Sequence, residues 1–391
     1  MRIFKFIIGI LSFLPISVIA QENSYLNKIN DKIITSVKQK YAPDSRQAIW
    51  SVSAYNTSDG IVVKGKTSEK NAYDAFSLLM KKENISYIDS IIVYPTDSWG
   101  HVRISVAHLR YKPSHSAEIV SQALMGTPLR LLEKEGEWWR VQSPDGYISY
   151  IIGNSIVRKN ADEMDIWRNS NRLIVTSFDQ IKVYESENST SVRNIVTDLV
   201  NGCIVNGIIS NNSEKIKVTL PDGRIGWLNA KDVRSIEEWA NQKFDSKKIL
   251  DIAYSMMGVP YLWGGMSTKS LDCSGLARVC YFSNGIILMR DASQQALTGT
   301  RIEAKDWKDC MAGDLLFFGN AKTRKVTHVA IYDNNGTYVH SSGRVKRNSV
   351  DPNSIEYLTT PFLHAVRING NEGTNGITRV LNHSWYFNKG N

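Results

Sequence analysis

The sequence predicts an α+β protein: a mixed helix-and-sheet domain at the C-terminal end, two small β-barrels ahead of it, and a small α+β segment in front of those. The barrels follow from an internal repeat. Pro144-Asp145-Gly146-Tyr147-Ile148-Ser149-Tyr150-Ile151 and Pro221-Asp222-Gly223-Arg224-Ile225-Gly226-Trp227-Leu228 resemble each other at an offset of 77 residues. Each Asp-Gly turn divides two strand-like runs, Trp138–Gln142 and Tyr147–Ile151 in the first copy, Lys215–Leu220 and Arg224–Leu228 in the second. The C-terminal domain follows from a change of period at Asp245, where strand-like alternation gives way to helical spacing and then to four further strand-like runs.

In chain order, residues 1–20 read as a cleaved leader. Arg2 and Lys5 precede an apolar run from Phe6 to Ile19, and Val18-Ile19-Ala20 ends on a small residue. The run is too short to span a bilayer comfortably, and no cysteine lies near the cleavage point, so export without a membrane anchor is expected, to the periplasm or the medium. Residues 21–97 form the α+β segment. Ser24–Tyr41 is a mixed polar, helical stretch, Ala48–Tyr55, Gly60–Lys66 and Tyr87–Tyr94 read as strands, and Ser68–Lys82 as a helix with Ala72, Ala75, Phe76 and Leu79 on one face. The two barrels take 98–160 and 161–238. In the C-terminal domain, 239–391, Asp245 caps a helix whose Ile249, Ile252, Ala253 and Met256 share a face, and Gly258-Val259-Pro260 stops it. A second helix starts at Cys273 and runs to about Phe282. Strands follow at Asp314–Phe318, Val326–Tyr332, Thr337–Ser341 and His364–Ile368, giving an antiparallel sheet with a helix packed on it.

Composition narrows the function. With 10% aromatic and 22% charged residues, the chain has the make-up of a folded protein. Its net charge of +9 falls to +7 without Arg2 and Lys5. No dense Lys/Arg run accompanies that charge, so no nucleic-acid partner is expected, and a monomer is. Four cysteines in so long an exported chain make no disulfide framework. Cys273 and Cys280 would stand about 10 Å apart along a helix, beyond disulfide reach. Cys203, Cys280 and Cys310 read as small buried residues, with a Cys280–Cys310 bridge left open.

Cys273 lies in Leu271-Asp272-Cys273-Ser274-Gly275-Leu276, shortly after Tyr261-Leu262-Trp263-Gly264-Gly265. A helix N-terminus and a nearby imidazole are the two devices that turn a thiol into a nucleophile, and Cys273 has the first if its helix begins where expected. The second depends on register. Asp333-Asn334-Asn335-Gly336 signals a turn, and a three-residue loop at 333–335 would pair Tyr332 with Gly336 and His328 with His340. The two rings would then stand directly opposite on one face, with Cβ atoms about 5 Å apart. A two-residue loop would put them on opposite faces. In this geometry His328 takes the thiol proton and His340 orients it. His101, His108, His115, His364 and His383 have no such partner. The Cys/His spacings are not those of a zinc site, and neither metal nor cofactor is expected.

Residues 245–391 resemble the NlpC-type cysteine peptidases, which have a papain-like catalytic domain. The matching pieces are Tyr261-x-Trp263-Gly264-Gly265, Asp272-Cys273-Ser274-Gly275, Met289-Arg290-Asp291-Ala292-x-x-Gln295, Gly313-Asp314-Leu315, Thr327-His328-Val329-Ala330-Ile331 and Val339-His340-Ser341. The Asp-Gly repeat resembles bacterial SH3-like wall modules, so nearly the whole mature chain is similar to the murein endopeptidases that cut after γ-D-glutamate, the dipeptidyl-peptidase VI type. That resemblance implies peptidoglycan stem peptides as partner, with a free N-terminal L-Ala, then γ-D-Glu, then L-Lys or a diaminopimelate, cut before the diamino acid. It implies Cys273 as nucleophile, His328 as base, His340 as third member, and the Tyr261 hydroxyl with the Cys273 N–H as oxyanion donors. Asp272, Ser274, Trp263, Arg290 and Asp291 would line the subsites. Glu118 and Tyr147 of the first module would reach the cleft and hold the free amine, making that module a lid. Ala292, where relatives carry Ser, implies one hydrogen bond fewer to the glutamate carboxylate, and Met289 stands where Pro is common. Two readings from other classes are a non-catalytic wall-binding protein and a thiol acyltransferase.

Overall fold

The computed structural model describes residues 25–210 and 213–388, so the leader expected at 1–20 lies outside the described residues. The chain divides into two compact units, one ending at Tyr94 and one starting at Pro95.

In the first unit a π-helical stretch, Lys28–Ile34, runs into α1 (Thr35–Tyr41). The hairpin β1 (Trp50–Thr57) and β2 (Gly60–Thr67) follows, then α2 (Lys70–Lys82) and β3 (Ile88–Val93). β3 lies parallel to β2, and α2 is the crossover that a parallel pair requires. The expected stripe on α2 is shifted slightly. Ala72, Phe76 and Met80 are its buried line, with Ala75 and Leu79 half-buried beside it, packed with Ile29, Val37, Trp50 and Val63.

The second unit begins with β4 (Trp99–Val102), β5 (Val106–Arg110), β6 (Ile119–Leu124), β7 (Pro128–Glu135), β8 (Trp138–Gln142), β9 (Ile148–Ile152) and β10 (Ile156–Lys159), hydrogen-bonded in the order β10-β4-β7-β8-β9-β5-β6. Every one of these strands contributes to a single core, from Val102 and Leu109 to Val141, Ile151 and Ile156, so the sheet curls around it. A short helix, α3 (Ala161–Arg168), closed at its start by an Asn160/Glu163 capping box, leads to a second sheet of the same build. Its strands are β11 (Arg172–Val175), β12 (Ile181–Tyr184), β13 (Ile195–Leu199), β14 (Ile204–Gly207), β15 (Lys215–Thr219), β16 (Ile225–Asn229) and β17 (Val233–Ser235). All seven again share one core. The two Asp-Gly turns have identical hydrogen bonding: Gly146 N to Ser143 O in the first, Gly223 N to Leu220 O in the second.

After α4 (Ile236–Ala240) the C-terminal domain opens with α5 (Ser246–Ser255), whose Lys248 N–H is capped by the Asp245 carboxylate as expected. A small ribbon, β18 (Met266–Ser267) with β19 (Ser270–Leu271), leads to α6 (Cys273–Phe282), then β20 (Ile286–Leu288), α7 (Ala292–Gln295) and β21 (Thr300–Glu303). The sheet is completed by β22 (Leu315–Gly319), β23 (Val326–Tyr332), β24 (Thr337–Ser342), β25 (Arg344–Ser349) and β26 (Phe362–Arg367). Its order is β21-β26-β22-β23-β24-β25, antiparallel throughout, and β27 (Ile377–Arg379) pairs with β20. Leu276, Ala277 and Cys280 of α6 pack on Phe317, Val329, Ile331 and Val339. All four cysteines are free, so the Cys280–Cys310 bridge left open above is not formed.

Contacts tie the first curled sheet to the C-terminal domain. A side chain at Gly264, which has a φ of +77°, would strike the carbonyl of Ile119 at 2.3 Å, so β6 lies directly on the Trp263-Gly264-Gly265 loop. Behind it the half-buried Arg278 of α6 reaches Asp145 in the first Asp-Gly turn, Nη1 to Oδ2 2.7 Å.

Candidate active site

The start of α6 is built around Asp272. As N-cap, its Oδ1 accepts from Gly275 N at 2.6 Å, and its Oδ2 accepts from Gly264 N at 3.0 Å, joining the two sequence motifs. Gly275 is required by space, since a Cβ there would lie 2.0 Å from the Gly265 carbonyl oxygen. Arg290 closes the cluster: it pairs with Asp272 at 2.5 Å, donates to Ser274 Oγ at 2.8 Å, and reaches Ser121 Oγ of β6 at 3.0 Å. Asp272, Ser274 and Arg290 therefore line the cleft while bonding one another.

Cys273 is the first residue of α6, as expected from the sequence. Its thiol faces the cleft and receives the N–H of Val329, the residue after His328. The expected depression of its pKa does not occur. Burial, and then the Asp272 charge, push the thiol up to about 11. The larger cause is the loss of water around the sulfur, and the carboxylate of the N-cap Asp272 adds to it; the N–H groups of Val329 and Ser274 pull the other way without offsetting them.

The loop between β23 and β24 also differs from the expectation. Tyr332 pairs with Tyr338, and Ile331 with Val339, so His328 and His340 are not directly opposite. The left-handed positions of the turn fall on Asn335 and Gly336, with φ of 48° and 83°, which moves the loop one residue onward. The shift in register is two residues, and an even shift keeps both histidines on one face. They meet diagonally, His328 Nε2 to His340 Nδ1 2.7 Å, with ring planes at 82°. A bulge on β23, where Phe318 pairs with His328 but Gly319 with Val326, leaves Thr327 unpaired and re-aims the strand at this point.

The hydrogen-bond chain fixes the tautomers. Asn348 donates its amide N–H to the Glu356 carbonyl at 3.0 Å and offers its oxygen to His340 Nε2 at 2.9 Å. His340 thus carries its proton on Nε2, accepts at Nδ1 from His328 Nε2–H, and leaves His328 Nδ1 as a free base. Burial and the neighbouring His340 lower the His328 pKa to about 3; burial lowers that of His340 to about 4. Both rings are neutral at pH 7. Asn348 escaped the sequence reading because only the β24–β25 register, with His340 opposite Lys346, brings it within reach.

The cleft of about 400 Å³ beside Cys273 is lined by Glu118, Tyr147, Tyr261, Trp263, Asp291 and Lys325 among others. Glu118 comes from the first curled sheet and accepts from Trp263 Nε1 at 2.6 Å. Asp291 caps α7. Burial raises the Tyr261 pKa to about 12, so its hydroxyl stays a donor. Ala292 itself brings no hydroxyl to the wall, while its neighbour Ser293 lines the same cleft. Val120, Ser293 and Lys325 also line the cleft and were not anticipated.

The profile of the NlpC/P60 family matches residues 258–367, and that of the bacterial dipeptidyl-peptidase Sh3 domain matches 109–156. Dipeptidyl-peptidase 6 of Lysinibacillus sphaericus is 30% identical over 257 residues, which span 64% of this chain and 89% of that protein. The gamma-D-glutamyl-L-lysine dipeptidyl-peptidase of Bacillus cereus is 24% identical over 259 residues, 63% of this chain and 74% of its own length. The crystal structure of an NlpC/P60 family protein from Bacillus cereus shares the fold, with a TM-score of 0.58 at 21% identity, covering 69% of this chain and 99% of that one.

Proposed function

This chain belongs to the NlpC/P60 family of peptidases, and from that premise we propose that it hydrolyses peptidoglycan stem peptides between γ-D-Glu and an L-diamino acid, in substrates with a free N-terminal L-Ala. The observation that carries the reading is the meeting of Glu118, from a separate module, with Trp263 in the cleft that holds Cys273. A carboxylate there suits an ammonium at one end of a short peptide, with Asp291 as a second carboxylate and Tyr147 as a wall.

In the proposed reaction His328 Nδ1 takes the thiol proton as sulfur attacks the γ-carbonyl carbon. The carbonyl π electrons move to oxygen, where the Cys273 N–H and the Tyr261 hydroxyl donate to the oxyanion. On collapse the C–N bond breaks, and the leaving amine takes its proton from His328. Water, deprotonated by the same nitrogen, then attacks the thioester and releases the dipeptide and the thiol. His340 and Asn348 hold the base in its tautomer. Export follows from the reading of residues 1–20. Among the described residues no helix is long and apolar enough to cross a membrane.

The test is mass spectrometry of L-Ala-γ-D-Glu-L-Lys, with free and acetylated N-terminus, after incubation with the protein and with Cys273→Ala. L-Ala-γ-D-Glu is expected from the free peptide only, and only with the thiol present. Hydrolysis that persists in Cys273→Ala removes the mechanism, and equal cleavage of both peptides removes the role of Glu118.

A further inference from the structure

Edge strand β25 carries three cations, and they divide by face. Arg347 pairs with Glu356 through two nitrogens, both at 2.9 Å. Arg344 and Lys346 alternate with it and share the face on which Asn348 reaches His340. Lys346 is the direct cross-strand neighbour of His340, and Arg344 is bridged to Pro260, next to Tyr261. Lys346 is half-buried, and its charge helps to lower the pKa of both imidazoles. Among the described residues neither Arg344 nor Lys346 has a carboxylate partner, whereas the cation facing the other way has one.

β25 takes no part in the wall that carries Glu118, Tyr147 and Asp291. It borders the site from the side of the imidazoles, where the departing amine collects its proton. Resting on the reaction proposed above, we infer that Arg344 and Lys346 form an anion subsite for the residue after the cut bond, selecting a diamino acid with a carboxylate on its side chain, the diaminopimelate class, over lysine. Residues two apart on a strand are separated by about 7 Å, a span suited to the two carboxylates at the ends of a 2,6-diaminoheptanedioate chain. A lysine side chain would bring a third cation to the strip, while the diaminopimelate end carries no net charge and offers an acceptor. Charges on an edge strand also block strand pairing. That purpose is indifferent to face and does not explain why only the face beside the imidazoles is left without anions.

The test compares kcat/KM for L-Ala-γ-D-Glu-L-Lys and L-Ala-γ-D-Glu-meso-diaminopimelate in the unaltered protein, in R344Q, K346Q and their double variant, and in R347Q. The diaminopimelate peptide is expected to be preferred by roughly tenfold, from two partly exposed ion pairs and one relieved repulsion. The ratio should fall toward one in the double variant and persist in R347Q. Each ratio is internal to one preparation, so partial loss of folded protein cancels. A ratio at or below one in the unaltered protein, or a preference that survives the double variant, overturns the subsite while leaving the peptidase intact. If neither peptide is cut, the reaction itself is refuted and the subsite falls with it.

Discussion

At Cys273 the ground state is a neutral thiol, and the imidazole of His328 is neutral as well. With the thiol held near 11 and His328 near 3, the reaction proposed above has proton transfer accompany attack instead of preceding it. Alkylation by iodoacetamide therefore has a defined pH dependence. Thiolate is the reacting form, so a raised pKa means slow labelling at pH 7 and a rise of about tenfold per pH unit until the thiol titrates near 11. Rapid labelling that levels off near pH 7 would show a preformed thiolate and contradict this state. The other three cysteines are buried, so the label reports on Cys273. The residue types were legible from Asp272-Cys273-Ser274-Gly275, but the pKa was not. The motif reveals a helix start without revealing how far the sulfur is withdrawn from water, nor that the capping carboxylate adds to the rise.

The hairpin of β23 and β24 shows what a pattern of residues can and cannot specify. Turn chemistry put the loop one residue early, yet both loops contain an odd number of residues, so the faces were correct and the imidazoles still met. The next pairing, β24 with β25, turns at Gly343 between two strands of mixed polarity, and no hydrophobic alternation specified its register; Asn348 was illegible for that reason. The consequence is measurable. Asn348→Leu removes the acceptor at His340 Nε2 and frees the His340 tautomer, so kcat should fall by about tenfold or more with KM little changed. Asn348→Asp keeps an oxygen toward His340 and should recover part of the loss. An unchanged kcat in Asn348→Leu would show that His340 is oriented without it. The helices were the easiest elements to read, because the Asp245 cap and the Gly258-Val259-Pro260 stop bound α5 on both sides. The π-helical turn at Lys28–Ile34 and the two-residue ribbon of β18 and β19 carry no such signals.

On the scale of the second unit, the first curled sheet is held to α6 by the Asp145–Arg278 pair, with Asp145 8% exposed and the arginine side chain 11% exposed. Breaking a buried pair from one side leaves an uncompensated charge, so Asp145→Asn should destabilise this unit by about 3–5 kcal/mol. Tyr147 lies two residues beyond Asp145 on the same turn, so the variant should also lose discrimination between free and acetylated peptides before it loses the ability to cut. Thermal melting and the ratio of the two rates check the two halves separately. A melting temperature that does not move would show that the guanidinium finds other partners. The repeat in the sequence made the two sheets legible as modules. Their seating on the C-terminal domain was not, because it rests on single close approaches, such as Gly264 on the Ile119 carbonyl, that leave no periodic trace.

The bond between Trp263 and Glu118 joins residues 145 positions apart in the chain. In the proposed function, the carboxylate that would hold the free amine and the thiol that would cut the bond thus come from different stretches of the gene. On that reading, recombination that exchanged the upstream module would change which peptide N-termini are accepted and leave Cys273, His328 and His340 untouched.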